Sequence, residues 1–326
     1  MDNINDKLEN LIDSAINTTF MSGKNLLECF RIIDEVDISQ GHAIQRLKLY
    51  ALNNNQYQFD YDGLKRLIRN NITNYVLNRK AYQKSVENGE LQLATMEALK
   101  KLKKIQEDAI EKGDFGSGGE LGEILLYIFF EAFLNAKKLL SKVEIKTNNK
   151  DYVKGFDGIH FLVKQYDSYT AYQIVYGEAK IKNDIGDAID DAFSSLSTCY
   201  ANRETDLKLL DSKFFEEIAS TNETTLEVLK SLIIPSYRSA NSKTETENAF
   251  GIFIGYSFSA PENPTSTPKD EISKKVKNDI ANVKQKIINH IKKFEGNSDF
   301  YVFFLPFNNA AEDKSKIMLE ILGGGK

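Results

Sequence analysis

Asp157, Glu178 and Lys180 are the residues whose types and spacing could do chemistry. They lie in two hydrophobic runs, 155–166 and 169–181, that flank a polar Asp167-Ser168 and read as a β-hairpin. The first run opens with Phe156-Asp157-Gly158, and the second closes with Tyr176-Gly177-Glu178-Ala179-Lys180. If Asp167-Ser168 is a two-residue turn, facing residues have numbers that sum to a constant. Tyr166 then faces Tyr169 and, further along the ladder, Asp157 faces Glu178. Side chains alternate with period two, so Glu178, Lys180 and Asp157 share a face, with the two carboxylates about 5 Å apart at Cβ.

Such a trio suits metal-assisted hydrolysis of a phosphodiester. Mg²⁺ is a hard ion that takes oxygen ligands in octahedral geometry and keeps several waters. Bound to two carboxylates, it would polarise a phosphoryl group and lower the pKa of an attacking water. A lysine two residues along the strand would orient that water or offset developing charge. Two carboxylates this close repel one another without a cation. The expected metal is Mg²⁺, with Mn²⁺ as a substitute.

An acid, any residue, then lysine is weak by itself, and the chain repeats it at Asp206-Leu207-Lys208, Asp211-Ser212-Lys213 and Glu312-Asp313-Lys314. The serious rival is Glu144-Ile145-Lys146, where Val143, Ile145 and alternating charges suggest a strand over 142–147. It lacks an acid on a preceding hydrophobic strand. Upstream, Gly116-Ser117-Gly118-Gly119 breaks the chain ahead of a helix in which Leu121, Ile124, Leu125, Ile128 and Phe129 recur at helical spacing. Glu120 and Glu123 fall in its first turn, where the helix dipole favours anions. Either they serve the dipole alone, or one joins the site as a third acid; Glu123 is preferred over Glu120. After the Glu178 strand, Ile185, Ala188, Ile189, Ala192, Phe193 and Leu196 form another helical stripe.

The order of an acid-bearing helix, three strands and a helix resembles the PD-(D/E)xK nuclease superfamily over about residues 113–200. Phe156 stands where that superfamily usually has proline. A later strand at 249–257 would extend the sheet. The resemblance implies an α/β fold, a restriction-endonuclease-like core with a mixed central sheet flanked by helices. The segments Gly119-Glu120-Leu121-Gly122-Glu123-Ile124-Leu125, Gly155-Phe156-Asp157-Gly158-Ile159-His160 and Tyr176-Gly177-Glu178-Ala179-Lys180 further resemble the HamA family, nuclease subunits of Hachiman antiphage defence systems. That likeness implies a DNA-cutting effector restrained by a partner helicase of the HamB type. It also implies Asp157, Glu178 and Lys180 as the catalytic set with Glu123 or Glu120 as helix acid, and Asp157, Glu178 and Glu123 as metal ligands.

The remaining chain sets bounds. Its 326 residues allow one large domain or two modest ones; a division at residue 112 separates a mainly helical region (1–112) from the nuclease domain (113–326). Helices are expected at 63–72, 88–111, 205–230 and 270–294, and a further strand at 299–306. Hydrophobic residues at 41% and charged ones at 27% suffice for an ordinary core. No apolar run approaches the ~20 residues that cross a bilayer, and the acidic start Met1-Asp2-Asn3 is no secretory signal, so a cytoplasmic location without membrane association is expected. Cys29 and Cys199 are too few for a disulfide framework. His42, His160 and His290 lack zinc-ligand spacing, and alternation sends His160 to the face opposite Asp157. A net charge of −5 argues against indiscriminate polyanion binding, although Lys137, Lys138, Lys142, Lys146, Lys150 and Lys154 crowd the approach to the trio. Those lysines either gather DNA phosphates or solvate a wet face. Two other classes fit the same composition: a catalytically silent DNA- or protein-binding scaffold of a helicase complex, and a stand-alone restriction-like endonuclease.

Overall fold

The first described segment builds a sheet edge. After a 3-10 turn at Leu26–Cys29, strands β1 (Phe30–Asp37) and β2 (Gln45–Leu52) pair antiparallel, and a short ribbon of β3 (Asn54–Asn55) and β4 (Gln58–Phe59) follows. The computed structural model describes residues 26–39, 41–111, 119–146, 155–165, 170–217, 223–234, 237, 246–294 and 298–323. Three helices come next: α1 (Tyr61–Val76), α2 (Arg79–Glu87) and α3 (Leu91–Glu111). Asp60 starts α1 by accepting a hydrogen bond from the Asp62 N–H, the usual way to satisfy an orphan helix donor.

Helix α4 (Gly119–Phe129) widens into a π-helical turn, Phe130–Leu134, which ends at Asn135 with φ 57°. Asparagine tolerates that left-handed conformation better than most side chains. Then come β5 (Lys137–Ser141), the short helix α5 (Lys142–Lys146), β6 (Gly158–Gln165) and β7 (Thr170–Ile181). Helices α6 (Ile185–Ala201), α7 (Glu204–Glu217) and α8 (Glu223–Ile233) lead to β8 (Thr246–Ser257). The chain closes with α9 (Pro268–Ile291), β9 (Asp299–Phe307) and α10 (Ala310–Ile321).

Seven strands form one mixed sheet in the order β1-β2-β9-β8-β7-β6-β5. The run β2-β9-β8-β7 is parallel, and the pairs at either end are antiparallel. Every residue of β9 is buried, as are most of β8 and β7, because helices cover both faces of a parallel run. On one face Phe130 lies over the backbone of Gly177 and Gly251, and a Cβ at Gly122 of α4 would come 3.2 Å from the Ala179 Cβ. On the other face α6 and α9 pack through Phe193, Tyr200, Phe294, Phe250 and Phe300.

The α/β class and the mixed, helix-flanked sheet match the expectation. One local reading needs correction. The strand expected at 142–147 is the helix α5, and the strand lies five residues earlier, at Lys137–Ser141. Lysine-rich alternation mimicked a strand face, whereas the apolar Leu139 and Leu140 mark the true one. The region before residue 112 holds the expected helices but also β1 and β2, which join the sheet beside β9. Of the helix expected at 205–230, α7 and α8 are described, and residues 218–222 lie outside the described residues. The proposed turn at Asp167-Ser168 and the break at Gly116-Ser117-Gly118 lie outside the described residues.

Candidate active site

The β6–β7 ladder has the register that the hairpin argument requires. Gly158 pairs with Gly177, Ile159 with Tyr176 and Gln165 with Thr170, so the numbers sum to one constant throughout. Asp157 immediately precedes β6, and its N–H donates to the Gly177 carbonyl at 2.9 Å. Its side chain then takes over where the ladder stops: Oδ2 accepts the Ala179 N–H at 2.8 Å. Oδ1 accepts from Lys142 Nζ at 2.5 Å. The carboxylate is thus pinned at the strand edge by a backbone donor on one oxygen and an ammonium on the other.

Glu178 is 1% exposed and Lys180 Nζ donates to its Oε1. Oε2 is buried and has no hydrogen-bond partner among the described residues. Burial first, and the negative charge of Asp157 second, push the Glu178 carboxyl up to about 7, against the pull of Lys180 and Lys142. For Lys180, burial works against the ammonium, but Glu178 and Asp157 outweigh it and hold the group above its usual range.

Glu123 enters from α4. Its Oε2 accepts from the Tyr75 hydroxyl at 2.9 Å, and its Oε1 lies 3.5 Å from Lys142 Nζ. Glu120 is also buried and its charge reaches Tyr75, but among the described residues it makes no ion pair with Lys142. Of the two helix acids, Glu123 is therefore the one turned toward Asp157. For Lys142, burial opposes the charged form, yet Asp157, Glu123 and Glu178 together keep it well above the ordinary lysine value. Tyr75 is fully buried, and burial plus the Glu123 charge hold its phenol well above normal.

Two of these residues escaped the sequence reading as site members. Lys142 was one lysine in a crowd. With β5 placed at Lys137–Ser141, Ser141 pairs with Gly158, so Lys142 stands next to Asp157 and its N–H reaches the Asp157 carbonyl at 3.3 Å. The signal was there, hidden by a misplaced strand. Tyr75 carries no such signal. It arrives because the end of α1 is docked on β5: Lys138 Nζ donates to the Asn74 and Leu77 carbonyls at 2.8 and 2.9 Å, and Ser141 Oγ to the Tyr75 carbonyl at 3.0 Å.

The lysine crowd is also resolved in part. Lys137 and Lys138 are buried, so neither is available to gather phosphates. Lys150 and Lys154 lie outside the described residues. The rival Glu144 is structural: its Oε2 accepts from both Ser141 N and Ser141 Oγ at 2.7 Å and lies 3.4 Å from Lys138 Nζ. His160 is buried with its ring against Phe130 and Tyr127, on the face away from Glu178, as alternation required. Cys29 and Cys199 are buried free thiols.

Among the described residues, no group of three or more His, Cys, Asp and Glu side chains is gathered closely enough to hold a metal. What gathers Asp157 and Glu123 instead is the Lys142 ammonium. The donor set nevertheless suits a hard divalent ion. Asp157 and Glu178 supply oxygen ligands, Glu178 Oε2 is buried without a partner, and the two carboxylates repel each other in the metal-free protein.

A stability signature follows from Glu178. Its folded pKa of about 7 lies above the ordinary glutamate value of 4.5, so between these values the folded state holds the extra proton. Glu178 therefore contributes a loss of stability as pH rises from about 4.5 to about 7, on the order of 3 kcal/mol in total, while the His160 imidazole, held well below its ordinary value by burial, contributes in the opposite sense below about pH 6.5. Urea unfolding of wild type and Glu178→Gln at pH 5, 6 and 7.5 isolates the Glu178 part as the difference between the two. A difference in stability, wild type minus variant, that rises across this range would contradict the burial and repulsion assigned to Glu178.

No curated protein matches the chain. A family model for HamA matches residues 25–321, from just ahead of β1 to the end of α10, and so takes in all strands of the described sheet together with Tyr75, Glu123, Lys142, Asp157, Glu178 and Lys180. The chain belongs to the HamA family and is a subunit of a Hachiman defence system.

Proposed function

We propose that this chain is the nuclease effector of its defence system, a Mg²⁺-dependent DNA endonuclease of low sequence specificity controlled by a partner helicase. The observation that carries the reading is the hairpin register, whose last pair, Gly158 with Gly177, brings Asp157 alongside Glu178, with Lys180 on the Glu178 carboxylate. Asp157 and Glu178 would hold the ion, which when bound supplies charge to the phosphoryl oxygens and acidifies a water. The protein's own part is positioning. The Ala179 N–H fixes Asp157, and the rigid β7 strand fixes Glu178 and Lys180 two residues apart on one face. Lys180, 28% exposed, is placed to orient the water or to steady charge on the departing oxygen. Glu123, held by Tyr75, keeps a further negative charge beside the pair. The helicase partner comes with the family resemblance, and low specificity is inferred because the sequence offers no zinc finger or evident helix-turn-helix.

Plasmid cleavage tests the reading. With the neighbouring helicase present, supercoiled plasmid is nicked or degraded in Mg²⁺, EDTA stops it, and Asp157→Ala, Glu178→Ala and Lys180→Ala each abolish it while leaving the fold intact. Cleavage at the wild-type rate by Glu178→Ala removes the mechanism. A second reading has one observation in its favour: the Lys142 ammonium sits where the acids would otherwise receive a cation. That arrangement suits a catalytically silent scaffold, which predicts DNA or protein binding insensitive to EDTA and to all three substitutions.

A further inference from the structure

Both oxygens of Asp157 are engaged, whereas only one of Glu178 is. Oδ2 of Asp157 accepts from the Ala179 N–H, and Oδ1 lies 2.5 Å from the Lys142 ammonium. Glu178 gives one oxygen to Lys180 and keeps Oε2 buried without a partner. Mg²⁺ requires ligand oxygens at about 2.0–2.1 Å in a near-octahedral shell with its own waters. A dication and an ammonium cannot share Oδ1 at those distances, because like charges at contact repel strongly in a poorly solvated site. Glu178 is open to the ion, whereas Asp157 is shut.

We infer that Lys142 is a built-in competitor of the divalent ion: it clamps Asp157 to Glu123 in the metal-free protein and must swing off Asp157 before the ion binds. This inference rests on the metal-site reading proposed above. Three features support it. Lys142 bridges an acid at the β6 edge and an acid on α4, which is the place of a shared cation. Its side chain is 23% exposed, so the ammonium has a route to water along a flexible four-carbon stem. It opens the five-residue helix at the end of β5, where its N–H holds its backbone beside Asp157 and leaves the four-carbon stem to swing the ammonium away. The charge count agrees: Asp157, Glu123 and Glu178 face Lys142 and Lys180, and a bound dication makes one of those lysines redundant. Among the described residues Lys180 pairs with Glu178 Oε1 and leaves Oε2 open, so Lys142 is the one displaced.

The test uses the full chain and Mn²⁺ as probe, with free ion counted by electron paramagnetic resonance. Lys142→Met removes the ammonium and keeps the bulk of the stem. The expected result is Mn²⁺ binding tighter by at least about fivefold, the lower end of typical coupling between linked sites. In the wild-type chain, acylation of Lys142 by an amine-reactive ester, read by peptide mass spectrometry, is expected to rise severalfold on adding Mn²⁺. This second arm needs no variant and decides the matter if Lys142→Met does not fold. Wild-type binding of Mn²⁺ with unchanged or weaker affinity in Lys142→Met, or with no rise in labelling, overturns the inference and leaves the metal site standing. Absence of Mn²⁺ binding in both proteins overturns the inference and the metal reading together.

Discussion

Glu178→Gln and Asp157→Asn each lower Mg²⁺-supported DNA cleavage by about 10²–10³-fold or more, the scale set by losing one group that stabilises a charged transition state. The two variants part company in stability, and that difference makes the pair informative. Glu178 is buried, repelled by Asp157, and pushed up to about 7. Replacing it with a neutral isostere relieves this, so Glu178→Gln is as stable as the parent at pH 7.5, or more so. Asp157→Asn retains an oxygen that can accept the Ala179 N–H but strips Lys142 of its closest counter-charge. That variant is destabilised, because a poorly solvated ammonium is left with the longer Glu123 pair and the more distant charge of Glu178. Cleavage assays beside urea unfolding at one pH resolve all four quantities. Activity of either variant within threefold of wild type would show that the carboxylates do not carry the reaction. Loss of activity in Glu178→Gln through unfolding would show that the acid was structural.

Gly251→Val destabilises the protein by about 3 kcal/mol or more, the upper range for overpacking a closely packed core. A Cβ at residue 251 would fall 2.1 Å from Phe130 Cζ, and one at Gly177 would fall 2.8 Å from both Phe130 Cε2 and Leu126 Cδ2. Phe130 itself is fully buried, packed against His160 and Phe303, and cannot withdraw. The two glycines thus let α4 and its π-turn settle directly on the sheet backbone. Glu123 sits on the same helix, so its place near Lys142 depends on that close approach. Thermal unfolding should show a fall in Tm of about 4 °C or more for the valine variant. Phe130→Leu in the same chain should recover part of it, since residues in contact do not act additively. Equal stability of Gly251→Val and wild type would mean that α4 does not rest where the packing puts it.

How much of this was legible beforehand depends on the range of the interactions involved. Period-two patterning on either side of a short polar stretch was enough for the β6–β7 register, because antiparallel neighbours separated by so few residues have little freedom to slip. The α4 stripe was equally local. Strand β5 was misplaced because five lysines and a glutamate between 137 and 150 alternate like an exposed strand, yet Lys138 is buried among backbone carbonyls of α1. Strands β1 and β2 went unseen because nothing in them hints at a partner as distant as β9.

From the amino-acid order alone came the facing acids, their lysine, the helix acid and an α/β core, since each is set by spacings of a few residues along elements that bury one side. Folding in three dimensions decided the rest. It brought Tyr75 from 48 residues away onto Glu123 and lodged Lys142 between Asp157 and Glu123. The reason is electrostatic as much as topological. Carboxylates crowded at a sheet edge must be neutralised by whichever donor the surrounding packing delivers, and no periodicity in a linear chain records which donor that is.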